Sequence, residues 1–241
     1  MSAYQGVFKR YEKKYLLTRE QQEGLMRAFD GRFAPDDYGQ HTICNIYFDT
    51  EDFALIRTSI EKPVYKEKLR LRSYGIPGDH DTVYLELKKK YKGVVYKRRA
   101  ALPLLEAQRY LADGNPSEKQ EQILREIGWF MGLYHPVPKA CITYDRVAMY
   151  GREDSELRVT FDTNIRCRAS ALDLRKGSWG TPLLPPDTVL MELKLPGVMP
   201  VWLSHVLSKN EIFPASYSKY GAYYQNHLAH LPYTKGALLH A

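Results

Sequence analysis

Cysteine is scarce in this sequence, and the positions of the few cysteines exclude two structural roles. The chain of 241 residues has three cysteines, an odd number, and no Cys-x-x-Cys pair. Disulfide frameworks and structural zinc sites need paired or closely spaced cysteines. The seven histidines are scattered too. We therefore expect no zinc site and no disulfides, and we expect the protein to work in a reducing cytoplasm.

Long apolar runs are also missing. No segment approaches the ~20 consecutive apolar residues of a membrane-spanning helix, and the start, Met1 to Arg10, lacks the apolar core of a signal peptide. We expect no membrane span in this chain, so any membrane contact would need a separate membrane protein. Low-complexity tracts and linkers are absent as well. Residues 1–241 are therefore expected to form a single domain.

Charge is plentiful, and basic residues outnumber acidic ones. Thirty-five Lys and Arg face 28 Asp and Glu, which gives a net charge of +7. This excess favours an anionic partner such as a nucleotide, a phosphate chain, nucleic acid or acidic lipid. The acidic residues lie in phase with the basic ones, which is typical of a phosphate site with a metal ion. Most of the 19 tyrosines suit sheet and helix contacts, so nucleic acid is not the expected partner.

The most informative pattern is the alternation of charged and apolar residues in extended segments. In the segment 65–73, Lys66, Lys68, Arg70 and Arg72 occupy every second position. Successive strand side chains point to opposite faces, so these four cations share one face. The same phase recurs along the chain. Eight strands are predicted, near residues 6–17, 42–49, 64–74, 82–91, 94–102, 139–150, 156–162 and 188–195.

Helices are predicted between and after these strands. The capping-box pattern from Thr18 to Gln21 opens one of them, which runs to about Phe29. The others are expected from Thr50 to Ile56, Leu104 to Ala112, Ser117 onward, Pro200 to Leu207 and Tyr217 to Leu228. Asp162-Thr163-Asn164 predicts a turn. The segment 169–186, rich in Gly and Pro, is either a mobile flap or a long connection.

Antiparallel strands with one charged face have two common architectures. The sheet either stays open to water or closes into a barrel with a polar lumen. Arginine is abundant on the charged face, and its planar fork suits phosphate. We therefore expect an α+β fold: an eight-stranded antiparallel β-barrel whose polar lumen holds an anion, with helices packed outside.

Seven short motifs in chain order resemble one known family. The motifs are Phe8 to Tyr15, Lys68 to Arg72, Glu86 to Lys88, Tyr144 to Arg146, Arg158 to Thr163, Met191 to Lys194 and Ser218 to Tyr220. Together they are similar to the VTC (vacuolar transporter chaperone) domain, the polyphosphate polymerase branch of the triphosphate tunnel metalloenzymes, also called CYTH-like proteins. The likeness covers about residues 5 to 226.

The resemblance implies a fold and an activity. The fold would be a tunnel of eight antiparallel strands, with the C-terminal helix capping it. The activity would be that of an ATP-dependent polyphosphate polymerase, which transfers the γ-phosphoryl group of ATP onto a growing polyphosphate chain and releases ADP. ATP and polyphosphate would be the partners. The implied cofactor is Mn²⁺ or Mg²⁺, because the candidate ligands are oxygens.

The resemblance also implies roles for residues of this chain. The catalytic cations would be Lys14, Arg70, Arg72, Lys88, Arg146 and Arg158. The substrate-binding cations would be these six together with Lys68, Lys97, Lys194 and Lys219. Glu192, Glu86 and Glu12 would bind the metal. Five of these roles have alternatives. Arg98 or Arg99 could face inward in place of Lys97, and Glu86 could pair with Lys88. Glu192 could pair with Lys194, Lys68 could be a solvated strand residue, and Lys219 could lie on the surface.

Two other functions fit the same residues. The triphosphatase branch opens with Glu-x-Glu-x-Lys, and here Arg10, Glu12 and Lys14 occupy those positions. Replacing the first acid by a cation weakens the case for hydrolysis, although Glu12 keeps a tripolyphosphatase or nucleoside triphosphatase open. The third candidate is a non-catalytic module that binds polyphosphate.

Overall fold

The computed structural model describes residues 11–92, 94–114 and 121–230. None of the helices within these ranges is both long and apolar enough to cross a bilayer. The strands found there are β1 Tyr11–Thr18, β2 Phe33–Pro35, β3 His41–Asp49, β4 Tyr65–Tyr74, β5 Thr82–Tyr91, β6 Val94–Pro103, β7 Val137–Gly151, β8 Arg158–Arg168, β9 Thr181–Pro182 and β10 Thr188–Leu195. The α-helices are α1 Arg19–Phe29, α2 Ala54–Ile60, α3 Leu104–Asp113, α4 Glu121–Tyr134, α5 Val201–Lys209 and α6 Lys219–Tyr223.

Eight long strands form one antiparallel sheet in the order β1-β10-β8-β7-β3-β4-β5-β6. Two short strands lie beside this path, since β2 pairs with β7 and β9 pairs with β8. The eight long strands correspond to the eight predicted ones, and the predicted α+β class is confirmed. The alternation of charged and apolar residues located most of these strands, because successive side chains of a strand point to opposite faces.

The sheet departs from the closed barrel that the sequence predicts. Within the ranges the structure describes, β1 and β6 end the path and do not pair with each other. Nevertheless, Nζ of Lys88 on β5 lies 3.9 Å from Oε2 of Glu12 on β1. These strands are first and seventh in the order, so the sheet must curve until its ends approach. In the described residues, the predicted barrel is therefore a curved antiparallel sheet without backbone pairing between β1 and β6.

The outer face of the sheet is apolar and covered by helices. On one side, α3 packs on β5 and β6 and α4 packs on β6. Leu85, Leu87 and Phe130 belong to the same core cluster there, and all three are fully buried. On the other side, α1 and α5 cover β1 and β10. The helix α1 begins as predicted, because Oγ1 of Thr18 accepts from the Gln21 amide at 3.1 Å while the Gln21 side chain accepts from the Thr18 amide.

The C-terminal helix packs on the inner face. Tyr220 of α6 stacks on Tyr47 of β3 with ring centroids 5.0 Å apart. Tyr223 and Leu228 are buried in the same cluster. The predicted helix over Tyr217 to Leu228 consists of α6 and a following π-helical turn, Tyr224–Leu228. This placement agrees with the expectation that a C-terminal helix caps the tunnel.

One local feature departs from the sequence-based expectation. The predicted turn at Asp162-Thr163-Asn164 is wrong, because β8 continues through it to Arg168. Asn164 has a φ of 52°, and the register with β7 shifts between Thr143 and Asp145. A β-bulge bends the strand there without reversing it. Asn in a left-handed conformation suits both a turn and a bulge, so the local sequence cannot distinguish them.

The connection after β8 is anchored to the sheet. The guanidinium of Arg168 donates to the backbone carbonyls of Asp173, Gly177 and Trp179 at 3.2, 2.9 and 3.0 Å. Of the two readings for segment 169–186, the structure favours an ordered connection. The predicted strand residues 6–10, Gly93 of the β5–β6 turn and the predicted helix start at Ser117 lie outside the described residues.

Replacing Leu85 by Ala should test the outer packing. Leu85 is fully buried on β5, so we expect the free energy of unfolding to fall by about 2–5 kcal/mol. Urea denaturation followed by circular dichroism measures the change. The matched control is Leu105→Ala on α3, which is 37% exposed and should lose less than about 1 kcal/mol. Equal losses in both variants would contradict the assignment of this face as the core.

Candidate active site

The register of the strands collects charged side chains on the inner face. Lys14 pairs with Glu192, Lys194 with Arg158, and Arg70 with Glu86. Partners in an antiparallel pair point to the same side of the sheet, so one inward residue identifies the next. The inward cations are Lys14, Lys66, Lys68, Arg70, Arg72, Lys88, Lys90, Lys97, Arg99, Arg146, Arg158 and Lys194, and α6 adds Lys219.

Glu86 is the centre of the first cationic cluster. Its side chain is 1% exposed, and its Oε2 lies 2.6 Å from Nη2 of Arg70. Its Oε1 lies 2.7 Å from both Nζ of Lys97 and Nε of Arg99. Nε of Arg72 lies 3.8 Å from Oε2. Burial raises the pKa of Glu86, but these cations outweigh burial and hold the pKa far below its usual range.

This geometry decides between the sequence alternatives for Glu86 and for Lys97. Lys97 and Arg99 both face inward, whereas Nε of Arg98 contacts Oε2 of Glu126 on α4 at 3.2 Å. The predicted partner of Glu86, Lys88, lies near Glu12 instead. Both oxygens of Glu86 are enclosed by cations, which oppose a divalent ion electrostatically. The geometry therefore supports an ion-pair role for Glu86 and not the predicted metal role.

Asp162 is the centre of a second cluster. Its buried carboxylate binds Arg146 through two bonds, from Nε to Oδ1 at 2.6 Å and from Nη2 to Oδ2 at 2.7 Å. Nζ of Lys219 lies 2.6 Å from Oδ2. Lys219 is thus inside the site, which excludes the surface reading. The C-terminal helix therefore contributes a cation that no strand could supply.

Tyr144 connects the two clusters. Its hydroxyl accepts from Nη2 of Arg72 at 3.0 Å, and Nζ of Lys219 lies 4.2 Å from its ring centroid. Burial raises the pKa of Tyr144, but Arg72, Arg146 and Lys219 together lower it below its ordinary value. Arg72 also donates from Nε to Oδ1 of Asn45 at 2.8 Å. These neutral groups fix the guanidinium of Arg72, whose Nε lies 3.8 Å from Oε2 of Glu86, beyond hydrogen-bond distance.

Two further carboxylates, Glu12 and Glu192, flank Lys14. Nζ of Lys14 lies 3.5 Å from Oε1 of Glu12 and 4.0 Å from Oε2 of Glu192. Nζ of Lys194 lies 3.9 Å from Oε1 of Glu192. Burial raises the pKa of Glu192, but Lys14 and Lys194 outweigh burial and keep the group ionised. These separations are longer than hydrogen bonds, so both carboxylates keep acceptor capacity.

Glu12 and Glu192 fit a divalent ion better than Glu86 does. Mg²⁺ is commonly held by one or two carboxylates together with phosphate oxygens. A cluster of three or more Asp, Glu, His or Cys at metal-binding distances is not found among the described residues. The two carboxylates on β1 and β10 therefore suit an ion that arrives with a phosphate substrate. Of the three predicted ligands, these two are the ones the geometry places together.

The remaining predicted cations line the tunnel from the C-terminal segment to an exposed end. Nζ of Lys68 donates to Oγ of Ser218 at 3.1 Å, just before α6. Lys88 is 45% exposed. Arg158 is exposed and donates to the Ser155 carbonyl at 3.2 Å. Neighbouring Lys194 is 35% exposed. Arg158 and Lys194 are thus accessible to a substrate entering from solvent.

Sequence reasoning missed several residues of the site. The sequence alone assigns no binding role to Asn45, Tyr144 or Asp162, and it offers Arg99 only as an alternative to Lys97. Asn45 offered a signal, because it is polar within the apolar strand 42–49 and an isolated buried amide needs a partner. Tyr144 shares its strand phase with Arg146. The pairing partners of these residues depend on register, which the sequence did not supply.

Comparison with known families identifies this arrangement. The family model of the VTC domain matches residues 9–227. The chain belongs to the VTC domain family. None of the curated proteins searched matches it significantly. The match to the family model spans the whole described sheet and α6, so the clusters around Glu86 and Asp162 both lie within the VTC domain.

Solved structures show the same fold at low identity. A proposed adenylate cyclase from Bacillus halodurans is 16% identical with a TM-score of 0.55, and the match covers 88% of this chain and 95% of that one. A proposed adenylyl cyclase from Hippeastrum, reported to have a dominant triphosphatase activity, is 18% identical with a TM-score of 0.52 and coverages of 92% and 98%. These similarities show that the VTC domain here shares the fold of these two proteins.

Replacing Glu86 by Gln should destabilise the protein. The change leaves Arg70, Arg72, Lys97 and Arg99 without their common counter-charge, so we expect a loss of about 3 kcal/mol in the free energy of unfolding. Urea denaturation at low salt measures it. The control Glu126→Gln removes the partner of outward-facing Arg98 and should cost less than about 1 kcal/mol. A Glu86→Gln protein as stable as the control would refute the role of Glu86 as counter-charge.

Lys68 should make polyanion binding dependent on pH. Burial first, and then Lys66, Lys14 and Lys88, lower the pKa of Lys68 to about 7. Bound phosphates stabilise the ammonium form and raise that pKa. Affinity for ATP should therefore be full below pH 7 and fall as the pH rises above it, with proton uptake on binding at about pH 8.5.

Calorimetric titration in buffers of different protonation enthalpy measures this uptake. Lys68→Met should remove part of it, whereas Lys13→Met, an exposed position next to Lys14 on β1, should keep all of it. Equal uptake in wild type and Lys68→Met would show that Lys68 is already charged in the free protein.

Proposed function

We propose that this VTC domain is a triphosphate-tunnel enzyme and, more specifically, an ATP-dependent polyphosphate polymerase. The observation that carries the proposal is the inner face, where many cations surround two fully buried carboxylates, Glu86 and Asp162. Four cations around Glu86 and two around Asp162 leave a large positive excess. Such an excess in a partly desolvated tunnel is matched by a chain of phosphates.

Phosphoryl transfer needs mainly positioning and electrostatic stabilisation. Donor and acceptor phosphates repel each other, and fixed cations reduce that repulsion. Arg70 and Arg99 are held by Glu86, and Arg146 is held by Asp162. Because these groups are oriented before substrate binds, they need little reorganisation as charge develops on the transferred group.

In this proposal the two clusters bind different parts of the substrates. Arg70, Arg72 and Lys97 bind the triphosphate of the donor, and Arg146 and Lys219 bind the oxygens of the transferred group. Arg158 and Lys194 guide the incoming chain at the exposed end. Transfer breaks the bond between the γ-phosphorus of ATP and its bridging oxygen. It forms a bond from a terminal polyphosphate oxygen to that phosphorus, and ADP leaves.

Glu192 and Glu12 would hold the divalent cation, Mn²⁺ or Mg²⁺. When bound, the ion neutralises phosphate charge and orients phosphate oxygens. Lys14 lies between the two carboxylates and holds them close together before an ion arrives.

A second function has one specific observation in its favour. Glu12 remains on the inner face, 3.5 Å from Lys14, and a carboxylate there could orient water towards a phosphate. The Hippeastrum neighbour has a dominant triphosphatase activity. A tripolyphosphatase or nucleoside triphosphatase would use the same cations and release free phosphate. A non-catalytic polyphosphate-binding module would release nothing.

The products distinguish these functions. Purified protein with ATP and Mn²⁺ or Mg²⁺ should form ADP and long polyphosphate, which gel staining detects. Arg70→Ala should lower kcat/KM at least about 30-fold, equivalent to ~2 kcal/mol of lost transition-state stabilisation. The control Arg98→Ala changes an outward arginine of β6 and should keep full activity. Free phosphate without polymer would establish the hydrolase, and binding without turnover the non-catalytic module.

A further inference from the structure

Aromatic side chains cluster at one end of the inner face, where β4 ends and β5 begins. The rings of Tyr74 and Tyr84 are 5.6 Å apart and nearly perpendicular, at 84°. The His41 ring lies 5.7 Å from Tyr74, and Tyr38 lies 6.3 Å from His41. We name Tyr38, His41, Tyr74 and Tyr84 the aromatic rim. None of these residues has a role in the mechanism proposed above.

The aromatic rim is joined to the cationic cluster of Glu86 through Arg99. Nε of Arg99 donates to Oε1 of Glu86 at 2.7 Å, and Nη2 donates to the Tyr74 hydroxyl at 3.1 Å. The guanidinium carbon lies 4.4 Å from the centroid of the Tyr84 ring. One arginine therefore fixes both tyrosines relative to the phosphate-binding cations.

The rim is partly open to solvent, unlike two aromatic residues deeper on the inner face. Tyr47 and Tyr144 are buried, whereas Tyr74 is 48% and Tyr38 is 80% exposed. Burial of apolar surface does not explain rings left in water at the edge of a charged tunnel. Flat aromatic surfaces that are preordered by a cation and partly exposed are suited to stacking with a planar ring.

We propose that the aromatic rim binds the base of a nucleoside triphosphate whose phosphates lie among the cations. This inference rests on the proposed function, since it needs the triphosphate in the tunnel. Tyr84 pairs with Arg72 in the register of β4 and β5. It lies two residues from Glu86, about 7 Å along the strand. The ribose spans that interval, and the base stacks on Tyr74.

In this proposal the nucleotide donor and the polyphosphate chain occupy different parts of the tunnel. A polyphosphate chain has no ring and gains nothing from the rim, whereas a nucleotide gains stacking energy. Stacking reads the face of a base and not its edge, so the rim selects nucleotides over inorganic phosphates without choosing one base. The predicted consequence is a change in nucleotide affinity that leaves tripolyphosphate affinity untouched.

Calorimetric titration of Tyr74→Ala tests this consequence. With Mg²⁺ present, the affinity for β,γ-imido-ATP should fall about tenfold, as expected for the loss of one stacked base. The affinity for tripolyphosphate should stay within about twofold of wild type. Tyr74→Phe keeps the ring and loses the bond from Arg99, so it should bind both ligands like wild type.

Tyr91→Ala is the matched control. Tyr91 is 47% exposed on β5 and also forms an edge-to-face pair, with Tyr65, but it lies on the outer face at the other end of the strand. It should bind both ligands normally. Unchanged nucleotide affinity in Tyr74→Ala overturns the inference while leaving the proposed function intact. An equal loss for both ligands also overturns it, because Tyr74 would then act by positioning Arg99. A wild-type protein that binds neither ligand overturns the proposed function itself.

Discussion

Repulsion among inward-facing cations is the constraint on which the rest of this structure depends. A tunnel lined by lysine and arginine is unstable unless counter-charge lies inside it. Glu86 and Asp162 supply that charge, and each is buried at the centre of several cations. These two carboxylates do more than offset repulsion, since they fix the guanidinium groups of Arg70 and Arg146 at hydrogen-bond distance.

The partial balance has a functional consequence. Cations outnumber carboxylates on the inner face, so the free protein retains unmet positive charge. The pKa of Lys68 is lowered by burial first and then by its neighbouring cations. A phosphate chain relieves the remaining repulsion. Stabilisation of the fold and recognition of a polyanion are therefore parts of the same electrostatic balance, in which the ligand completes what Glu86 and Asp162 begin.

The C-terminal segment completes the site in a way that no strand does. Lys219 binds Asp162, Ser218 accepts from Lys68, and the Tyr217 carbonyl accepts from Lys14. Tyr220 anchors the same segment by stacking on Tyr47 and donating to the buried carboxylate of Asp49. Residues 217–220 thus connect β1, β3, β4 and β8 across the lumen. Assembly of the binding site is consequently coupled to docking of the last helix.

The sequence by itself determined the eight main strands, the inward phase of Arg70, Arg72 and Lys88, and the outer apolar face. These properties follow from a period of two, which is local. Only the tertiary structure decided that Glu86 pairs with Arg70 and Lys97, that Asp162 continues a strand, and that the sheet curves until its two ends approach each other. Those outcomes depend on register and on contacts between residues far apart in the chain. The same carboxylate can bind a metal, form a turn or pair with an arginine, and the neighbours that the fold brings to it decide which of these happens.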